Sequence, residues 1–374
     1  MAFLVGDSGD ASDLADTNVT LWGAGGRHIT QQGKAQALVN GLYNTTRLSA
    51  LAQWIAEHDR PDTVYHVHGW SKIWSPGLFR ILKPVQNRLI VHAHDYFLAC
   101  PNGAFWHYPK AETCARRPLS LGCLTAGCDR RSMAQGLWRA ARTGLLRQFF
   151  SPNAPGPAIL LIHPGMQPGF ELGGFAPERF KVLRNPVVPF STTPIPACNN
   201  RKIAFVGRLN PEKGALVLAK ACQEANLPLM VIGEGPEEAA IAQTGADMHG
   251  WCDREKISQL LRDARLLVMP SQYPEPYGLV AVEALGSGLP VIVPKTALLA
   301  EEIVSSGAGL SVNCAHAAAL SGDLVQLSQD DQKIKEMSTA ALRVAPSLGS
   351  LLADWVDALE TCYDETFQAS RMAA

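Results

Sequence analysis

Short apolar runs that end in a glycine or a polar turn alternate along the chain with segments of helical periodicity. In the first half these runs are AFLVGD, NVTLWGAGG, TVYHVHGW, RLIVHAHDYF, PAILLIHPG and RFKVLRNPVV. We expect all of them to be strands, the first two short and buried, and we expect one helix from Gln36 to Glu57. Strands that alternate with helices predict a parallel sheet covered on both faces, and such sheets bind ligands at the carboxyl ends of their strands.

The second half repeats this alternation and predicts a second doubly wound sheet, with strands in RKIAFVG, LPLMVIG, DMHGW, RLLVMPS, LPVIVPK and GLSVN. A proline-rich, charge-poor segment, VVPFSTTPIPACNN, lies between the halves. We therefore predict an α/β protein with domains at 1–186 and 201–346, a linker at 187–200 and a C-terminal segment at 347–374. That segment carries a helical pattern, Leu351–Phe367, which is a candidate to cross back to the first domain.

The stretch PSQYPEPYGLVAVEALGSGLP, from Pro270 to Pro290, predicts a turn-rich loop that leads directly into a short buried helix. The first amide groups of such a helix lack partners and its dipole is positive there, so this end suits a phosphate. Glu275 on the loop and Glu283 on the helix can accept hydrogen bonds from the hydroxyl groups of a sugar nucleotide. Considered alone, the stretch fits a surface proline turn ahead of a core helix better.

Two basic side chains, Arg208 and Lys213, follow the first strand of the second half. Cations at the carboxyl end of a strand can clamp a diphosphate and stabilise charge as it leaves. The next strand ends at Gly233 and Gly235, although a lone G-x-G is a weak indication of nucleotide binding. A solvated basic turn is the alternative and is the more common case.

In the first half, His94 follows a strand, where an imidazole can donate a hydrogen bond to a sugar oxygen or to developing charge. The alternative is a histidine whose hydrogen bonds are satisfied by backbone groups at the strand end. We assign His66, His68 and His92 mainly to that second role.

Two further segments of the first half are candidate binding sites, one for a metal ion and one for a membrane surface. Cys100, Cys114, Cys123 and Cys128 can supply thiolates to zinc, but the C-x-x-C spacing is missing, which favours free thiols. Basic residues within 130–147 are interleaved with apolar ones and predict a helix. Such a helix can lie on an anionic membrane surface, although a solvated basic face over a core stripe is favoured.

The composition is that of a globular protein, with 47% hydrophobic and 18% charged residues in a chain of 374. A net charge of −1 argues against a general nucleic-acid binder. The start, MAFLVGDSGDASD, lacks the pattern of a signal peptide, and no run approaches the roughly 20 apolar residues of a membrane span. We therefore expect a cytoplasmic protein with reduced cysteines, and the inner face of the membrane is a second expected location.

The motifs FVGRLNPEKG, VIGEGP, HGW and EPYGLVAVEALGSGLPVI, taken in this order, resemble those of the retaining glycosyltransferases of family 4. The resemblance covers essentially the whole second half. It is weaker in the first half, where it rests on DTVYHVHGW, VHAHDYFLACPNG and VLRNPV. It implies the GT-B fold, in which two Rossmann-like domains face a cleft, and it implies no metal or other cofactor, because the cations and the helix dipole replace one.

The resemblance also implies a role for each matched residue. Arg208 and Lys213 are expected to bind the donor diphosphate and stabilise the leaving group, while Glu275 contacts the donor sugar and His94 lies beside it. Backbone amides around Gly278 are expected to bind phosphate. Glu283 is expected to bind the ribose, and the HGW motif is expected to lie near the base. The residues expected to bind the nucleotide sugar are Gly207, Gly233, Gly235, His249, Trp251, Tyr277, Gly278, Leu279 and Glu283.

The family usually opens with a strand, a glycine-rich loop and a long helix ahead of an AFLVG-like strand. Here Met1 stands almost directly before that strand. We therefore expect a shortened N-terminal domain.

Together these features predict a glycosyltransferase that moves a sugar from a nucleotide diphosphate sugar to a hydroxyl acceptor and retains the anomeric configuration. The expected acceptor is a glycan or a lipid-linked glycan in cell-surface polysaccharide or glycolipid synthesis, with peripheral membrane contact as an option. A nucleotide-sugar-binding partner subunit without catalysis and a nucleotide-sugar epimerase are the alternatives.

Overall fold

The computed structural model describes residues 1–10, 12–14 and 17–372. By its internal contacts the chain divides into two units. The first contains the chain from Met1 to Val182 together with the residues from Leu359 onward, and the second runs from Leu183 to Ala358.

A parallel sheet forms the centre of the first unit. Within the described residues of this unit, the strands are β1 (Ala2–Val5), β2 (Thr20–Gly23), β3 (Tyr65–Val67), β4 (Leu89–Ala93), β5 (Trp106–His107), β6 (Glu112–Thr113), β7 (Ala158–Leu161) and β8 (Phe180–Val182). The helices are α1 (Lys34–Leu42), α2 (Thr45–His58), α3 (Gly77–Ile81), α4 (Leu121–Leu124), α5 (Met133–Phe149) and α6 (Gln167–Leu172). The central sheet has the order β3-β4-β7-β8 with parallel pairing throughout. Every residue of β4 is buried, as is typical of a central parallel strand covered on both faces.

The first two apolar runs of the sequence differ from expectation. They form β1 and β2, which pair in parallel with each other but do not join the central sheet. Their residues are exposed or only partly buried, and Phe3 retains 49% exposure. The prediction that these strands are buried was therefore wrong, because a two-stranded sheet offers few neighbours against which to bury side chains.

The helix predicted from Gln36 to Glu57 is two helices. The chain leaves α1 at Tyr43, and Asn44 then caps α2 by accepting a hydrogen bond from the amide of Arg47 at 3.4 Å. The amide of Asn44 also donates to Ser75 Oγ at 3.1 Å. An asparagine at this position favours a new helix start over continuation, because its side chain satisfies an otherwise unpaired amide.

The second unit is built on a doubly wound parallel sheet. Its described strands are β9 (Lys202–Val206), β10 (Leu229–Ile232), β11 (Asp247–Met248), β12 (Ala264–Val268), β13 (Val291–Pro294) and β14 (Gly309–Val312). Its described helices are α7 (Ala215–Glu224), α8 (Glu238–Ala242), α9 (Arg254–Leu261), α10 (Leu279–Gly286), α11 (Ala300–Ser306), α12 (Ala317–Gln329), α13 (Asp331–Leu348) and the start of α14 (Leu352–Met372). The strand order is β11-β10-β9-β12-β13-β14. The direction of winding thus reverses between β9 and β12, and ligands of such sheets bind in the crevice that this reversal opens at the carboxyl ends of the strands.

The segment 187–200, predicted as a linker, lies inside the second unit. Phe190, Ile195 and Ala197 are buried there. The amide of Ile195 donates to the carbonyl of Ser287 at 2.9 Å, which ties the segment to the end of α10. The division between the two units falls earlier, after Val182.

Candidate functional site

Two loops at the winding reversal of the second unit are packed against each other. One follows β9 and contains a short 3₁₀ turn, Pro211–Lys213, and the other follows β12. The amide of Gln272 donates to the carbonyl of Glu212 at 2.8 Å. A Cβ added at Gly214, where φ is 72°, would lie 2.1 Å from the carbonyl oxygen of Pro270, so only glycine permits this close approach.

This packing brings Lys213 and Glu275 together. The Lys213 ammonium lies 2.8 Å from Glu275 Oε2, and the Ser271 hydroxyl donates to the same oxygen at 2.8 Å. The Tyr273 hydroxyl donates to the other carboxylate oxygen at 3.1 Å. The Lys213 and Glu275 side chains are 22% and 13% exposed. An ammonium carries three donors, so a fixed, partly accessible Lys213 can bind an anion while it stays paired with Glu275.

Arg208 stands two residues beyond the last residue of β9 and is exposed. Among the residues that the structure describes, it has no hydrogen-bonding or ionic partner. A guanidinium in this state offers its planar set of donors to a ligand, and phosphate oxygens match that geometry.

The N-terminus of α10 lies on the second of the two loops. Gly278 is its N-cap with φ 83°, and no side chain caps the helix. No acceptor in the described part of the chain bonds the amides of Gly278 or Leu279. Unpaired amides and the positive end of the helix dipole make this a suitable phosphate site.

The side chain of Tyr277 fixes the position of this loop. It is buried, and its hydroxyl donates to the carbonyl of Leu348 at 2.5 Å, while the carbonyl oxygen of Asn185 lies 3.5 Å away. Burial raises the pKa of Tyr277 to about 12. The phenol is therefore already hydrogen-bonded in the core. A ligand at this position would contact the backbone of Tyr277.

The predicted glycines of the site hold two turns in contact. Gly233 has φ 139°, and a Cβ there would lie 1.9 Å from the carbonyl oxygen of Gly207. A Cβ at Gly235 would lie 2.6 Å from the carbonyl oxygen of Leu209. These glycines allow the turn after β10 to pack against the turn after β9.

The HGW motif follows β11. The His249 amide donates to the carbonyl of Val231 at 3.0 Å, and its Nε2 lies 3.2 Å from Asp247 Oδ2. Trp251 is 73% exposed, while its amide donates to Glu234 Oε1 at 3.3 Å. The indole thus keeps an open face, which suits stacking on a planar base.

Glu283 has a partner that sequence reasoning missed. Arg254 Nη1 donates to Glu283 Oε1 at 3.0 Å, and its Nη2 donates to the carbonyl of Pro189 at 2.9 Å. Burial raises the pKa of the Glu283 carboxyl, and Arg254 opposes that shift. The carboxylate remains 19% exposed and keeps acceptor capacity for hydroxyl groups.

His94 lies in the first unit, at the carboxyl end of β4. Its Nε2 is 2.9 Å from His68 Nδ1, and its ring stacks on His92 with centroids 4.5 Å apart. The assignment of His66, His68 and His92 to backbone-satisfied roles was wrong. His66 and His68 bond other side chains, and both nitrogens of His92 lack a partner among the described residues. Burial and then the neighbouring imidazoles lower the pKa of His92 to about 2, so its ring is neutral at neutral pH.

The arginines of α5 do not form a solvated face. Arg142 is buried, and it donates to the carbonyls of Gly41 at 2.8 Å and Ser71 at 2.5 Å. Arg139 pairs with Asp129 at 3.2 Å. The favoured expectation of a solvated basic face was wrong for these residues, because they satisfy internal carbonyl and carboxylate groups. None of the described helices combines the length and the hydrophobicity needed to cross a bilayer.

The cysteines singled out in the sequence are all free thiols: Cys100, Cys114, Cys123 and Cys128. Among the described residues, their thiols do not form a group with mutual distances short enough to hold a metal ion. The three imidazoles of His66, His68 and His92 do form such a group.

Comparison with known proteins finds a family match within the second unit. Residues 196–344 match the family of glycosyl transferases group 1. The chain is 27% identical over 236 residues to D-inositol 3-phosphate glycosyltransferase of Mycolicibacterium smegmatis, covering 59% of this chain and 50% of that protein. It is 24% identical over 274 residues to glycogen synthase of Mycobacterium tuberculosis, covering 67% of this chain and 63% of that protein. An uncharacterized 41.2 kDa protein in the cps region of Klebsiella pneumoniae is 33% identical over 116 residues, which are 30% of this chain and 32% of that protein. The chain thus matches less than two thirds of the length of these relatives.

Solved structures are similar over most of the chain. HepE of Anabaena, in complex with UDP and glucose, has a TM-score of 0.63 and 18% identity, with coverage of 96% of this chain and 90% of that chain. Sucrose-phosphate synthase of Thermosynechococcus elongatus has a TM-score of 0.63 and 16% identity, with coverage of 87% and 78%. These similarities confirm the expected GT-B fold with two Rossmann-like units. The match to glycosyl transferases group 1 thus covers residues 196–344, and the likeness to the solved structures extends the shared fold over most of the chain.

Proposed function

We propose that this protein is a retaining glycosyltransferase that moves a sugar from a nucleotide diphosphate sugar to a hydroxyl acceptor. The observation that carries the proposal is the Lys213–Glu275 pair, which the loops after β9 and β12 hold at the winding reversal. The uncapped start of α10 belongs to the same loop as Glu275. Cation, carboxylate and helix end are the groups that a sugar bound to a diphosphate requires.

The chemistry assigned to these residues is charge stabilisation. The bond between the anomeric carbon and the phosphate oxygen breaks, and its electron pair leaves with the diphosphate. Lys213, Arg208 and the amides at the start of α10 stabilise that charge. The acceptor oxygen bonds the anomeric carbon, and its proton passes to the departing phosphate oxygen. Glu275 holds hydroxyl groups of the donor sugar, and Glu283 holds those of the ribose.

A pocket in the first unit is our candidate for acceptor binding. It has a volume of about 460 Å³ and lies against α1 and α5. Its apolar lining includes Leu38, Phe97 and Trp138. Its basic lining consists of Lys34, Lys72 and Arg131, together with Arg139 and Arg142, which already bond Asp129 and internal carbonyls. Apolar surface beside several cations fits an amphiphilic anion, so we propose a lipid-linked acceptor that carries phosphate.

We expect Arg131→Glu to raise the KM for a prenyl diphosphate-linked acceptor by about tenfold, or ~1.4 kcal/mol. The Arg131 side chain is exposed on the pocket rim, so charge reversal repels the acceptor phosphate without disturbing the core. Lys110→Glu, an exposed charge reversal outside the pocket, is the control. Initial rates at varied acceptor concentration measure both variants. An equal KM in Arg131→Glu and the parent would remove the pocket from the acceptor site.

The function itself is tested by incubating the full chain with a panel of nucleotide sugars, with and without hydroxyl acceptors. Proton NMR of the product reports the anomeric configuration. Transfer with retention supports the proposal, and transfer with inversion contradicts it. An epimerised donor in the absence of acceptor would instead indicate the epimerase, and donor binding without transfer or hydrolysis would indicate the partner subunit.

A further inference from the structure

Four imidazoles of the first unit lie together at the carboxyl ends of β3 and β4. They belong to His66, His68, His92 and His94. His68 is central, because its Nδ1 lies 2.9 Å from His94 Nε2 and its Nε2 lies 3.3 Å from His66 Nδ1. The ring of His92 stacks on His66 with centroids 5.4 Å apart. The Tyr363 hydroxyl approaches His66 Nδ1 at 2.9 Å.

The one fully buried member of the three-histidine group, His92, lacks hydrogen-bond partners among the described residues. His92 is only 3% exposed, and neither of its ring nitrogens has a partner among the described residues. Buried polar atoms in folded proteins are nearly always satisfied, so these nitrogens point to a bound group.

We propose that His66, His68 and His92 form a site for a divalent transition-metal ion, with Zn²⁺ as the best match. One ring nitrogen from each of the three lies within 4.8 Å of the others. Two imidazole nitrogens bound to one tetrahedral zinc are roughly 3.3 Å apart, which follows from zinc–nitrogen distances of about 2.0–2.1 Å. His66 Nδ1 and His68 Nε2 already have this separation, at 3.3 Å. Imidazole suits zinc and its neighbours in the first transition row, whereas Mg²⁺ and Ca²⁺ prefer oxygen ligands.

The site has a consequence for His94. A metal bound to Nε2 of His68 requires the remaining ring proton to be on Nδ1. That N–H then donates to His94 Nε2, 2.9 Å away, and fixes the proton of a neutral His94 on its own Nδ1. His68 thus acts as a positioning residue through which the metal sets the tautomer of His94. The metal site itself does not depend on the proposed transfer reaction.

The test is isothermal titration of chelator-treated full-length protein with Zn²⁺. We expect one equivalent to bind, and we expect His68→Gln and His92→Gln each to weaken binding by more than about 100-fold, beyond the range for outer-shell changes. His316→Gln is the matched control, because His316 is an exposed histidine in the second unit. Circular dichroism and the thermal midpoint check that the variants fold. His68 is itself exposed, so its variant keeps the test valid if His92→Gln unfolds.

Visible absorption of Co²⁺ provides a second readout, because tetrahedral nitrogen coordination gives a characteristic spectrum. The spectrum should appear with the parent and the His316→Gln protein and be absent from His68→Gln. No Zn²⁺ binding by the parent would overturn the proposal and leave water as the partner of these nitrogens. Binding that persists unchanged in both His68→Gln and His92→Gln would also overturn it.

Discussion

Replacement of Lys213 by alanine should lower kcat for sugar transfer by about 10²- to 10³-fold, or ~3–4 kcal/mol of transition-state stabilisation. The ammonium lies 2.8 Å from Glu275 and is only partly exposed, so its field acts in a site with little water. Its effect should be larger on kcat than on the donor KM, because the diphosphate gains charge as the anomeric bond breaks. Release of nucleoside diphosphate at saturating donor measures the change.

Lys220→Ala is the control for this prediction, since Lys220 is an exposed lysine of α7. It should turn over at the parent rate. Equal kcat in Lys213→Ala and Lys220→Ala would show that Lys213 does not stabilise the leaving group. A thermal midpoint close to that of the parent must accompany the Lys213→Ala result, because loss of the cation also leaves Glu275 without its ionic partner.

Replacement of Gly233 by alanine should destabilise the second unit by about 3 kcal/mol or more. The new Cβ would lie 1.9 Å from the carbonyl oxygen of Gly207, and the φ of 139° is unfavourable for any residue with a side chain. The obstacle is the backbone of Gly207, directly after β9, which cannot rotate away because its amide is bonded to the carbonyl of Ile232 at 3.0 Å. For a unit of this size we expect the thermal midpoint to fall by about 6–12 °C.

Gly322→Ala is the control, because we expect it to change the free energy of unfolding in the opposite direction. Gly322 lies inside α12, and a Cβ there has no atom within 4 Å. Alanine at such a helix position should stabilise by about 0.5–1 kcal/mol. Both variants can be followed by thermal unfolding under one set of conditions. A Gly233→Ala protein that melts with the parent would show that the two turns are not in the contact described.

The second unit was the more predictable part of the chain. Three of its six described strands are followed within two residues by a glycine, namely Gly207, Gly233 and Gly250, and the stretch from Pro270 to Pro290 carries its own start and stop signals for α10. Local sequence therefore predicts these strands and α10, although the contact between Lys213 and Glu275 joins residues 62 positions apart. The pairing of Glu283 with Arg254 joins residues 29 positions apart, and no local pattern specifies it.

In the first unit, expectations failed where long-range contacts decide the outcome. The interleaved pattern of α5 cannot show that Arg142 meets the carbonyls of Gly41 and Ser71. The spacing of the histidines in the sequence does indicate the cluster. His66 and His68 are two residues apart, as are His92 and His94, and a period of two places each pair on one face of its strand. Only the pairing of β3 with β4 then brings the pairs together.

We propose above all that Lys213, Glu275 and the start of α10 form one diphosphate site. Thermal unfolding of the full chain with UDP, GDP or ADP, each against its nucleoside, tests it most directly. A ligand at 100 times its Kd stabilises by about 2.7 kcal/mol, which is several degrees for a unit of this size. We expect at least one nucleoside diphosphate to raise the midpoint, its nucleoside to leave the midpoint unchanged, and Lys213→Ala to abolish the shift. A shift of equal size with the nucleoside, or an undiminished shift in Lys213→Ala, would contradict it.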